Sequence, residues 1–204
     1  MTAGEGSKTR EKFLLKELCK YDIGTWADII YRNALLYPAY EAFVYGKERI
    51  TFPQFNARVN RLIHALRSLG VKKGDGIGIL SWDCLEYADV YGAAMKGRFI
   101  ASPFNPRLQA NELEYLINYS EIETLFMGSE FIEIVNPLQP RLSRVKNHIS
   151  LETSFSGVTS LHDLLEIHSE KEPDVRMKEE DPFLINLYEW YDGHSSRCSL
   201  YAWA

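Results

Sequence analysis

Cysteine is scarce in this 204-residue chain. Cys19, Cys84 and Cys198 are odd in number, widely spaced and in no C-x-x-C pair, which excludes a disulfide framework and a zinc site of ordinary spacing. His64, His148, His162, His168 and His194 show no ligand spacing either. His162 and His168 lie six apart in an amphipathic stretch, so they fall on opposite faces of a helix and are read as solvent-facing or capping residues. No apolar run approaches the roughly 20 residues of a membrane span. The opening MTAGEGSKTREK lacks the apolar centre of a secretory signal, and a cytoplasmic location is expected. Positive charge is not in excess: 23 Lys and Arg against 28 Asp and Glu give −5, which argues against nucleic acid as a partner. A G-x-G-x-x-G fingerprint is missing too. The GDGIG at residues 74–78 has the wrong spacing, and its last glycines fall inside a strand pattern, so its use is structural.

What is present is a globular composition, 46% hydrophobic and 25% charged, with enough chain to bury a core. Thr25 can cap a helix over residues 26–36, with Asp28 three residues on, before Pro38 stops it. Residues 42–44 and 49–51 form a hairpin pattern around Gly46 and Lys47. Thr51 and Gln54 spell a capping box for a helix in which Phe55, Val59, Leu62, Ile63, Leu66 and Leu69 recur at helical spacing until Gly70 closes it.

Strands are expected at 76–80, 99–102, 124–127, 148–151 and 183–186, and helices at 85–95, 111–119 and 161–168. A further helix from Phe131 must break near Pro137 or Pro140. This βαβαβ alternation predicts a parallel sheet with helices on its faces. Residues 169–180, SEKEPDVRMKEE, read as a solvated connector. Asn105 and Pro106 read as turn formers, and Glu86 as one of many helix-surface carboxylates.

The order of these pieces from Thr25 to Asn186 resembles the front of the acyl-adenylate-forming superfamily, and of AMP-forming acyl-CoA synthetases in particular. The residues that carry the resemblance are Glu86 within a helix, Ala93 and Ala94, Lys96 with Gly97, the Asn105-to-Leu108 turn, Glu112 to Tyr115, and EEDPFLIN. Arg98 and Phe99 stand where the family often has Gly and Ala. The resemblance implies an α/β fold, the N-terminal part of the acyl-adenylate-forming large domain, mainly parallel sheet flanked by helices and incomplete. Residues 1–24 are then a polar extension, 25–186 the partial domain, and 187–204 a separate tail.

That tail reads LYEWYDGHSSRCSLYAWA. Read one nucleotide later from the Leu187 codon, with permitted codons, it becomes YTSGTTGIPRGV, which is similar to the family's Ser/Thr/Gly-rich phosphate loop. The single codon of Trp190 and that of Trp203 both land on required glycines. A frameshift after Asn186 is therefore expected. In the frame as read only Gly193 remains among the last eighteen residues, and bulky Trp190, Tyr191, His194 and Tyr201 would block the close backbone approach that a phosphate cradle needs.

The family's reaction, carboxylate plus ATP giving acyl adenylate and then thioester, implies ATP, Mg and CoA for an intact member and none for this chain. No catalytic, cofactor-binding or metal residue is assigned, and Gly193, Ser195 and Cys198 carry no role. The expected function is that of a truncated acyl-CoA synthetase, inactive alone. Two alternatives stand beside it. One is an assembly module that joins the remainder of the ligase, or itself, through exposed sheet edges. The other is a self-standing α/β protein whose aromatic tail packs on its core.

Overall fold

The computed structural model describes residues 25–155, 158–191 and 196–203. Helix α1, Trp26–Leu36, begins at the expected cap: the Thr25 hydroxyl accepts from the Asp28 backbone N–H, and the Asp28 carboxylate accepts from the Thr25 N–H at 3.1 Å. Strands β1, Glu41–Tyr45, and β2, Glu48–Thr51, pair antiparallel around Gly46, whose φ of +58° suits glycine. Helix α2, Phe52–Ser68, starts from the Thr51–Gln54 capping box and buries Phe55, Val59, Leu62, Ile63 and Leu66. Leu69, expected on the same stripe, is exposed, because the helix has already ended when the chain reaches it.

The main sheet is built from β3 Gly76–Leu80, β4 Ile100–Pro103, β5 Thr124–Met127, β6 Asn147–Ser150, β7 Thr159–Ser160, β8 Leu184–Tyr191 and β9 Ser196–Trp203. Its order is β7-β6-β5-β3-β4-β8-β9, with the first six strands parallel and β9 antiparallel to β8. Connecting helices are α3 Leu85–Gly97, α4 Ala110–Ser120 and α6 Leu161–Ile167. Residues after Phe131 form the short α5, Ile132–Val135, and then a 3-10 helix, Asn136–Arg141, that accommodates Pro140, as the prolines require.

Alternation along the central strands divides the core into two layers. Ile77, Ile79, Phe126 and Ile149 face α2, α3 and α6, whereas Leu80, Leu125 and Met127 face α4 and the 131–142 segment. Both faces of the sheet are buried, which explains why the central strands read as continuous apolar runs.

Residues 169–180 depart from the expected solvated connector. Pro173 and Met177 are buried, and Glu170 and Glu172 are tied to α2 through Asn60, Arg61 and Asn56. The segment is a strap across the helix layer. Its polarity, read in sequence as affinity for water, is satisfied by partners more than a hundred residues earlier.

The strand expected at 183–186 continues to Tyr191 and turns back through β9, giving an eight-residue antiparallel ladder from Leu184↔Trp203 to Tyr191↔Ser196. Gly193, His194 and Ser195 lie outside the described residues.

Candidate functional site

Ligands of open α/β sheets bind at the carboxyl ends of the strands. At that edge β4 runs out through Phe104, whose N–H donates to Ile79 O at 2.8 Å, into a turn where Asn105 Oδ1 accepts from the Arg107 N–H at 3.0 Å. Asn105 is thus the turn former the sequence suggests. Strand β8 leaves the same edge beside β4: they pair at Ala101↔Leu184, and the Ala101 N–H donates to Phe183 O at 2.8 Å. Between the two exits lies a crevice of about 440 Å³ lined by Phe104, Asn105, Leu108, Leu116, Asn186 and Leu187. Nearby, the Arg107 guanidinium lies 5.9 Å over the Trp82 ring.

The crevice lining contains amides and apolar groups, with no cation for a triphosphate and no carboxylate for Mg among those described residues. Among the described residues no group of three His, Cys, Asp or Glu is arranged to hold a metal.

The charged clusters lie elsewhere and are occupied with one another. Asp89 is fully buried on α3 and accepts from Arg58 Nε at 2.9 Å and Nη2 at 2.5 Å. Burial outweighs the guanidinium and pushes its carboxyl up to about 6. Glu86, expected on a helix surface, is largely covered and stands 3.9 Å from Arg58 and 3.4 Å from His162. It faces Arg58 and His162 because α2 and α6 flank its helix.

Lys96 Nζ donates to Asn56 Oδ1 at 2.6 Å and Asn60 Oδ1 at 2.7 Å, and pairs with Glu172 at 2.6 Å. Burial holds the Lys96 ammonium below its ordinary value against the pull of Glu172. Arg98 Nη2 bonds both Asp181 oxygens, at 2.7 and 2.6 Å, and Lys73 stands 3.3 Å from Asp181. Burial works upward on Asp181, but Arg98, the Lys178 N–H and Lys73 together lower it to about 2.

His168 has a capping role, with Nδ1 2.7 Å from Leu164 O. His162 is half-exposed and stands 3.4 Å from Glu86. Cys84 is half-buried, and burial raises its thiol. The sequence did not single out Asp89, Arg58 or Asp181. An aspartate on the same helix face as buried Leu85 and Ala93 was the one local sign of the first.

The chain belongs to the AMP-binding enzyme family, whose model matches residues 30–187. It is 31% identical over half of its length to 3-methylmercaptopropionyl-CoA ligase of Ruegeria lacuscaerulensis, of which the match covers 19%. It is 26% identical over 80% of its length to long-chain-fatty-acid–CoA ligase FadD13 of Mycobacterium tuberculosis, covering 32% of that protein. Among solved structures, a putative long-chain-fatty-acid CoA ligase from Rhodopseudomonas palustris superposes with a TM-score of 0.77 at 28% identity, over 87% of this chain and 44% of that one. The anthranilate CoA ligase AuaEII, solved with anthranoyl-AMP, gives 0.80 at 21% identity over 91% and 36%. The chain thus spans about a fifth to a third of the curated relatives' length.

Proposed function

We propose that this chain is the front scaffold of an AMP-forming acyl-CoA synthetase for a fatty or related carboxylic acid in the cytoplasm, and that in its present frame it activates no carboxylate. One observation carries the reading: β8 delivers the chain to the carboxyl edge beside β4, where a phosphate loop would serve, and beyond Asn186 the chain runs LYEWYDGHSSRCSLYAWA, which permitted codons read one nucleotide later turn into YTSGTTGIPRGV. Large aromatic side chains where a cradle needs glycines block the close backbone approach by which N–H donors wrap phosphate. ATP, Mg and CoA belong to the intact ligase. The amide and apolar lining of the crevice supports this division, since charge developing on phosphate oxygens needs placed cations and donors.

The test has two arms. The bases after the Asn186 codon, read one position later, are expected to continue as ligase-like codons. Carboxylate-dependent pyrophosphate release is expected from the frame-restored enzyme and absent from the 204-residue chain. Turnover by the short chain at the rate of intact ligases, or a native gene with no ligase continuation in the neighbouring register, overturns the reading.

A further inference from the structure

Strand β8 reaches the carboxyl edge beside β4 on a slender ladder. The two strands share one register pair, Ala101↔Leu184, with the Ala101 N–H donating to Phe183 O at 2.8 Å. Pro182 has no N–H with which to add a bond one residue earlier. The apolar pattern fixes little either. Phe183, Leu184 and Ile185 are apolar in succession, and such a run suits both faces of a doubly covered sheet without saying which residue meets which layer. A slip of one residue would move the exit of β8 by about 3.3 Å and turn its side chains to the opposite layer.

The ion pair between Arg98 and Asp181 stands in that same register. Arg98 precedes Ala101 by three residues and Asp181 precedes Leu184 by three, so the ion pair and the strand pair have the same separation, 83 residues. Each partner is fixed to its own backbone. Arg98 closes α3, with the Phe99 N–H donating to Ala94 O at 3.1 Å and the Gly74 N–H to Arg98 O at 2.7 Å. Asp181 closes a turn with Lys178: its N–H donates to Lys178 O at 3.0 Å, and the Lys178 N–H donates to Asp181 Oδ2 at 2.8 Å. The two side chains are 14% and 12% exposed, so water screens the pair little and a slip would strand both charges.

We propose that the Arg98–Asp181 pair sets the register of β8 on β4, and with it the place where the chain leaves the carboxyl edge. Both are positioning residues. The consequence for a phosphate loop after β8 rests on the ligase reading, whereas the register itself does not.

Cysteine pairs read the register directly. Ala101 and Leu184 pack in one apolar layer, so in a chain carrying Cys19→Ser, Cys84→Ser and Cys198→Ser the pair Ala101→Cys/Leu184→Cys is expected to form an intramolecular disulfide on mild oxidation. Ala101→Cys with Phe183→Cys, or with Ile185→Cys, is expected to form none. Adding Arg98→Gly, which also relieves the left-handed backbone at that residue, or Asp181→Ala is expected to let one of these shifted pairs bond. Absence of a shifted disulfide from both variants overturns the proposal, even where the 101–184 bond is lost. In the frame-restored enzyme, Arg98→Gly is expected to raise the KM for ATP about tenfold and to leave that for the carboxylate within about twofold. An unchanged KM for ATP overturns the consequence for the loop, and a frame-restored parent without turnover overturns the ligase reading alone.

Discussion

Arg98 ends α3 at φ 64° and ψ 37°, a left-handed conformation that costs an L-residue about 1 kcal/mol and that glycine adopts freely. The departure from the family's glycine was visible in sequence. Its compensation was not, since Asp181 stands 83 residues later. Arg98→Ala loses the ion pair and keeps the strained backbone, whereas Arg98→Gly loses the pair and relieves the strain. The glycine variant is expected to be the more stable by about 1 kcal/mol in urea unfolding, the reverse of the order inside a helix. An alanine variant as stable as the glycine one would remove the strain from the account. Asp181 itself titrates at about 2 in the folded state, below its ordinary 3.8. Its contribution is therefore present above pH about 4 and lost as pH falls through about 2. Asp181→Asn should flatten that acid limb of the stability curve, and an unchanged limb would show that the carboxylate is not held down.

At the scale of elements, local signals were strong. Both capping boxes, Thr25 with Asp28 and Thr51 with Gln54, are formed by the residues that spell them, because a cap needs only neighbours within one turn. The glycines of GDGIG are structural as expected: Gly78 lies in β3, where an added Cβ would collide with Ile122 Cδ1 and stand 2.8 Å from Phe104. Gly78→Ala is expected to destabilise by about 1–3 kcal/mol, the usual cost of overpacking a filled core. A neutral value in thermal or denaturant unfolding would mean that the α4 side of the sheet yields more readily than its packing suggests. Strap residues 169–180 mark the limit of local reading. Their charges look like a solvated loop until Asn56, Asn60, Arg61 and Lys96 are folded beneath them.

At the scale of the whole molecule, six parallel strands with helices on both faces agree with the alternation in the sequence, and β9 forms the outer edge of the described sheet. An open edge offers unpaired N–H and C=O groups to another chain, which keeps the assembly reading in view: the chain as a module that joins the remainder of the ligase. Size-exclusion chromatography of the chain with and without the separately made downstream product is expected to give a joint peak on that reading. A compact monomer indifferent to the product would dismiss it.

The sequence by itself determined the elements, their caps, the parallel sheet and the family resemblance, because periodicity, turn chemistry and motif order act over a few residues at a time. Only the tertiary structure decided that Asp89 is buried on Arg58, that Asp181 restrains Arg98, and that a charged connector is a strap. Each of those depends on partners tens of residues away, brought together by the burial of two apolar layers and by nothing written between them in the chain.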